Sequence, residues 1–278
     1  MTMAAPRTGC IELAGQRLET AWWGEGPETA PTIVLLHEGL GSVALWRNFP
    51  AQLTAATGCG VFAWSRRGYG ASSPIALPRP VSYMHDEARE WLRPVLDAAG
   101  VRRCILLGHS DGGSIAAIYA GSVQDDRVRG LALLAPHFLV EEVSLAGIRE
   151  ARGRFLNSDL RARLARYHKD VDGAFWGWNQ AWLDPAFRDW NIEAEVARIR
   201  IPMLIVQGTS DPYGTVEQLR VAQRLALGPV EGLVLDGIGH APHLEATEAT
   251  VAAVADFVHR RLGSGAQEPQ NQNNAQFY

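Results

Sequence analysis

Nowhere in the chain does an apolar run approach the roughly 18 residues that a membrane-spanning helix needs, so no membrane partner is expected. Cysteine is scarce. Cys10, Cys59 and Cys104 form neither a CxxC pair nor an even framework, which argues against a disulfide scaffold and points to buried thiols in a reducing compartment. Basic clusters are missing too. The chain has 26 Lys and Arg against 30 Asp and Glu, a formal net charge of −4, and no window gathers enough cations for a phosphate-backbone footprint, so nucleic acid is not expected as a partner. The opening MTMAAPRTGC carries neither a basic-then-apolar signal nor an Arg-rich transit pattern, and the expected location is cytoplasmic. Internal repeats are also lacking.

What the chain does have is apolar mass. Its 278 residues are 47% hydrophobic, sufficient for one large α/β domain with an insertion, as a monomer or a homodimer. From Thr32 onward, short β-rich apolar runs alternate with amphipathic stretches, the pattern of a mostly parallel sheet with crossover helices. Strands are predicted over Thr32–Leu36, Gly60–Trp64, Arg102–Leu107, Val128–Leu134, Met203–Gln207 and Gly232–Leu235. Ahead of them, Cys10–Leu13 and Arg17–Trp23 suit an antiparallel hairpin turning at Ala14-Gly15-Gln16. Helical periodicity marks Met84–Ala98, Ser114–Ala120, Val216–Leu227 and His243–Leu262.

Between Val140 and Arg200 the alternation stops, and a stretch rich in Arg, Trp and Phe suits several helices without an intervening strand. The expected organisation is therefore a core domain over 8–139 and 201–262, a helical cap over 140–200, and a disordered polar tail over 263–278, native or left over from expression.

The sharpest local signal is Gly108-His109-Ser110-Asp111-Gly112, with an apolar run before it and a helical stretch after it. It fits G-x-S-x-G. A serine between glycines at a strand-to-helix junction can occupy a strained turn that thrusts its hydroxyl out of the sheet, with the helix N-terminus and the Asp111 N–H facing developing negative charge. A serine hydroxyl is a poor nucleophile until a base takes its proton, so the motif demands a histidine and an acid farther along. Asp211 follows the Met203–Gln207 strand, and His240 follows the Gly232–Leu235 strand. Each falls on a loop at the carboxyl edge of a parallel sheet, where ligands bind in open α/β folds. Asp236 and His243 are the competing acid and base; the first better ends its strand and the second better begins the last helix.

A second oxyanion donor is expected from His37-Glu38-Gly39-Leu40-Gly41, where glycine lets the backbone approach a substrate carbonyl; Gly39 is the preferred donor. The aromatic group Phe175-Trp176-Gly177-Trp178, Trp182, Phe187 and Trp190 can wall an apolar pocket or glue the cap helices to the core. Trp178 and Trp182 are pocket candidates. His137, after the Val128–Leu134 strand, can meet substrate or bond locally, and Glu38 can contact a polar substrate group or brace its loop. Arg66 and Arg67 are expected to fix the Ser65–Ser72 loop.

Those segments together with Trp46, Ser65-Arg66-Arg67-Gly68-Tyr69-Gly70-Ala71-Ser72 and Gly208-Thr209-Ser210-Asp211 resemble the α/β-hydrolase superfamily from about Cys10 to Leu262. The resemblance implies an eight-stranded sheet whose second strand is antiparallel, with a cap inserted after the sixth. Relatives usually have glycine where Glu38 stands. Those with an Asp nucleophile, the epoxide hydrolases and haloalkane dehalogenases, are disfavoured by Ser110. The chemistry expected is acyl transfer from a small ester, thioester or lactone to water, with no metal or organic cofactor. Hydrolysis of a carbon–carbon bond in a ring-cleavage diketone, cofactor-free perhydrolysis and a ligand receptor on the same fold are the alternatives.

Overall fold

Eight strands form one sheet in a computed structural model that describes residues 5–263. The polar tail expected over 263–278 lies, apart from Gly263, outside the described residues. The strands are β1 (Arg7–Leu13), β2 (Gln16–Trp23), β3 (Thr32–Leu36), β4 (Gly60–Trp64), β5 (Cys104–His109), β6 (Val128–Leu134), β7 (Met203–Gly208) and β8 (Val230–Leu235), in the order β1-β2-β4-β3-β5-β6-β7-β8. Only β2 runs against its neighbours; every pairing from β4 to β8 is parallel.

Parallel strands covered on both faces need apolar side chains on both, and the central ones have them. Ile33 and Leu35 of β3, Ile105 and Leu107 of β5, and Leu204 and Val206 of β7 enter one core layer. Val34, Leu36, Leu106 and Ile205 enter the other. The first layer is closed by α1 (Phe49–Thr57), through Phe49 and Leu53, and by the C-terminal helix, through Val254, Phe257 and Val258. On the second lie α2 (Tyr83–Asp86), α3 (Leu92–Ala98) and α4 (Asp111–Ser122). Replacing a wholly buried residue such as Leu106 with Ala costs about 2–5 kcal/mol, since the cavity adds to the lost transfer energy.

Between β6 and β7 come α5 (Glu142–Asn157), α6 (Leu160–Leu164), α7 (Val171–Leu183) and α8 (Glu193–Val196), with no strand among the described residues of this stretch beyond a single bridge, Leu139 to Asn191. The chain then runs through β7, α9 (Glu217–Leu225), β8, α10 (Pro242–Glu245) and α11 (Thr247–Leu262).

Several expectations need correction. The hairpin begins at Arg7 rather than Cys10, and its turn holds only Ala14 and Gly15, at φ 49 and 73°, the positive angles of a two-residue hairpin turn. Cys10 is exposed on this edge hairpin while Cys59 and Cys104 are buried, so the expectation of buried thiols fails for one of the three cysteines. The helix expected over Met84–Ala98 starts at Tyr83 and passes through a π-helical turn at Glu87–Trp91. The helix expected from His243 is two helices, because Ala246 departs from helical angles at φ −134 and ψ 53°.

Candidate active site

The site is built on the turn between β5 and α4. Ser110 sits there at φ 53 and ψ −120°, a conformation a side chain adopts only at a cost of about 1–3 kcal/mol when its surroundings enforce it. Its neighbours enforce it. A Cβ on Gly108 would lie 2.3 Å from the Gly112 carbonyl oxygen, and one on Gly112 would lie 2.0 Å from the Leu36 carbonyl oxygen, so only glycine lets the backbones pass. That close passage is why α4 begins at Asp111, three residues earlier than propensity suggests. Gly113 and Ser114 donate back to the Ser110 carbonyl. The Asp111 N–H belongs to the first turn, where N–H groups have no intrahelical partner.

Asp211 and His240, from the loops after β7 and β8, meet in space. His240 Nδ1 lies 2.9 Å from each carboxylate oxygen of Asp211. Gln207 Nε2 donates to Oδ2 at 2.9 Å, and the Tyr213 N–H donates to Oδ1 at 2.8 Å. Burial pushes the carboxyl up, but the His240 bond and charge together with the Tyr213 N–H outweigh it and hold Asp211 below the ordinary carboxylate range. In a neutral ring, an Nδ1–H facing the carboxylate leaves Nε2 with the lone pair. Of the competitors, Asp236 accepts from Thr209 Oγ1 at 3.0 Å instead. His243 lies in α10, buried against Trp46, Phe49 and His109.

A cavity of about 100 Å³ opens where these loops converge. Ser110, Asp111, His240, Gly39, Glu38, His137, Trp178 and Trp182 all line it, with Asp211 behind His240; Leu40, Ile148 and Tyr213 complete the wall. The loop after β3 is pinned from beneath by Arg66, which donates to the carbonyls of His37 and Glu38, the latter at 3.1 Å. Arg66 thus secures the glycine loop as well as its own, while Arg67 lies over the Trp91 ring at 3.9 Å. Trp178 presses on Gly39 so closely that a Cβ there would fall 2.2 Å from the indole.

Behind Ser110 the Asp111 carboxylate is buried and accepts from Tyr83 Oη and, at 3.2 Å, from Trp182 Nε1. Burial raises its pKa against the pull of Arg66 and these donors. Trp182 therefore ties α7 to the residue next to Ser110. His137 is buried, with its ring centroid 5.8 Å from that of His240, and burial lowers its pKa to about 3, so the ring is neutral.

The sequence reading missed Leu40, Ile148 and Tyr213. Tyr213 stands two places after Asp211 in the same loop, a usable signal, whereas Ile148 is one of many apolar residues on a helix and carries none. Among the described residues, no three His, Cys, Asp or Glu side chains group to hold a metal ion, and no helix is long and apolar enough to cross a membrane.

Similarity to known proteins follows the same outline. Residues 33–254 match the model of the "Alpha/beta hydrolase family". Epoxide hydrolase A of Mycobacterium tuberculosis (strain ATCC 25618 / H37Rv) is 25% identical over 328 aligned residues, spanning 92% of this chain and 98% of that protein. Proline iminopeptidase of Lactobacillus helveticus (strain DPC 4571) is 23% identical over 273 aligned residues, 84% of this chain and 92% of the relative. Among solved structures, the enol-lactonase from Burkholderia xenovorans LB400 superposes with a TM-score of 0.71 at 21% identity, covering 90% of this chain and 99% of that one. A match to most of the chain, on an eight-stranded sheet with one antiparallel inner strand, identifies the protein as a member of the alpha/beta hydrolase family.

Proposed function

We propose that this hydrolase is a serine enzyme that cleaves a small carboxylic ester, thioester or lactone through an acyl-enzyme on Ser110. The observation that carries the proposal is the strained Ser110 turn opening into the cavity that His240 also lines, with the His240 ring held by Asp211 at 2.9 Å. Among the described residues the Ser110 hydroxyl makes no hydrogen bond to His240; such contacts are often loose without substrate and tighten in the reacting complex.

In the first step His240 Nε2 takes the Ser110 proton as Oγ attacks the substrate carbonyl. The oxyanion is received by the N–H groups of Asp111 and Gly39, whose fixed dipoles need no reorganisation as charge develops. The tetrahedral adduct collapses, the leaving alkoxide or thiolate takes the proton from His240, and an ester to Ser110 remains. Water then attacks with His240 again as base, releasing the acid and restoring the serine. Helices α5 to α8 act as a cap, lending Ile148, Trp178 and Trp182 as walls that exclude water from a compact apolar acyl group. The kinship with an epoxide hydrolase does not bring an aspartyl nucleophile, because position 110 is serine.

A fluorophosphonate probe is expected to label Ser110, and Ser110→Ala to lose both labelling and turnover of short p-nitrophenyl esters or lactones. An alanine variant that hydrolyses these substrates at the parent rate overturns the assignment. Graded acyl chains sharpen it, because a cavity of this size favours the shortest.

A further inference from the structure

We infer that Glu38 and His109 form a charged bridge that positions His240, with His109 carrying protons on both ring nitrogens. His109 is the last residue of β5, adjacent to Ser110, and its ring is buried. Its Nε2 lies 2.7 Å from the His240 carbonyl oxygen, and its Nδ1 lies 3.4 Å from Glu38 Oε2. Both partners are acceptors. A neutral imidazole offers one N–H and one lone pair, so one of the two contacts would set lone pair against oxygen. The imidazolium alone donates to both, and the Glu38 carboxylate supplies the counter-charge that a buried cation requires.

The surroundings agree. Facing His109 are Glu38 from the loop after β3, His137 from the loop after β6, and Asp211 from the loop after β7. His240 precedes α10 and His243 lies in it; Trp46, the remaining ring, does not titrate. Burial works against a charge on His109, but the Glu38 bond and charge, with the His240 carbonyl, more than offset it and raise the pKa. His243, whose ring centroid is 4.7 Å away, is driven the other way, to about 3, first by burial and then by the His109 charge. Glu38 is held well below the ordinary carboxylate range: burial opposes this, and the bond and charge of His109 outweigh it. Of the groups on every element around His109, Glu38 is therefore the anion that bonds it.

The bridge gives the Glu38 carboxylate a partner within the fold. The glutamate side chain reaches past Gly41, where a Cβ would lie 2.4 Å from Oε2, and joins the donor loop to the loop that carries His240. His109 is a positioning residue: it acts through the His240 backbone and touches no substrate. The inference rests on the serine-hydrolase reading for its consequence, though not for the protonation itself. Because the folded pKa is raised, the clamp is complete below the ordinary histidine value and is lost as pH rises through the raised one. Activity therefore acquires a falling alkaline limb.

Two measurements on the full chain test this. In protein labelled with [15N]histidine, one ring is expected to stay doubly protonated above the ordinary value of about 6.5, to vanish in His109→Gln, and to become a neutral tautomer in Glu38→Gln. A His109 ring already neutral at that pH overturns the bridge. Separately, the rate of fluorophosphonate labelling is followed against pH. In Glu38→Gln the amide donates to a neutral Nδ1 while Nε2–H keeps the His240 carbonyl, so the alkaline limb should disappear. Because the His240 carbonyl keeps its donor and only the charge pairing between the loops is lost, the rate near neutrality should drop by no more than about tenfold, below the hundredfold that an ångström of misplacement costs. Identical pH profiles for parent and variant overturn the positioning role. Should His109→Gln fail to fold, Glu38→Gln alone decides through both readouts. Absence of Ser110 labelling in the parent counts against the serine-hydrolase reading, and the nitrogen spectrum then decides the bridge on its own.

Discussion

Two carboxylate–imidazole pairs flank Ser110, and they are finished differently. In Asp211–His240 the carboxylate is the braced partner, served by Gln207 and the Tyr213 N–H, while among the described residues the second ring nitrogen of His240 meets no protein group and the ring lines the cavity. In Glu38–His109 the ring is the braced partner, engaged at both nitrogens and shut away from solvent. On the proposed reading, the same two chemical groups give a base where one nitrogen is left open and a clamp where both are tied. Proximity of an acid to a histidine does not identify a base; the state of the other nitrogen does.

The contrast breaks most sharply at the open ring. His240→Ala should lower kcat by roughly 10⁴–10⁶-fold, since a nucleophile without its base retains only the oxyanion donors and binding. Ester turnover and fluorophosphonate labelling should fall together. A cut one step back is smaller. Asp211→Asn should cost about 10²–10⁴ in kcat by freeing the wrong tautomer of His240, far more than Glu38→Gln; equal losses would show that the two pairs do the same job.

Acid provides a third cut. His137 and His243 are held neutral with pKa values near 3, below their unfolded value of about 6.5. Both therefore protonate more readily in the unfolded chain. Their stabilisation is complete above that value and shrinks as pH falls from about 6.5 toward 3, by roughly 1.4 kcal/mol per pH unit for each ring. Asp211 loses its contribution lower still, as pH falls through its depressed value. Urea unfolding at a series of pH values should show this slope, and His243→Gln should remove one ring's share of it. His109 has the opposite sign, its contribution fading as pH rises. The smallest effect belongs to Trp182→Phe. It takes one donor from Asp111 but leaves Tyr83 in place, and should cost about 1 kcal/mol in denaturation while slowing turnover less than Asp211→Asn does.

How far these features could be read in advance depended on burial. Strands β3 and β4 match their expected ends because a strand covered on both faces is a nearly continuous apolar run; β6 matches too, although the exposed Arg129 interrupts its run. The first half of β1 went unseen: Arg7, Thr8 and Gly9 are exposed at a sheet edge, where nothing selects an alternating pattern. Helix α4 was expected too late because Gly112 and Gly113 are poor helix formers, and their reason for being there, contact with β3 and with the loop after β6, is tertiary. That the loops of Ser110, Asp211 and His240 would converge was legible because each residue follows its own strand in order. His109 was hidden by its position, since it fills an unspecified place in G-x-S-x-G and its partners come from two distant loops.

The edge hairpin has one practical consequence. Cys10 presents its sulfur to solvent on β1, whereas Cys59 and Cys104 are enclosed, burial raising both thiols, the latter to about 12. Thiol reagents act through the accessible thiolate, so the unaltered polypeptide offers one address for a maleimide dye, a spin label or a surface tether. Catalysis could then be watched on single immobilised molecules without engineering an attachment point.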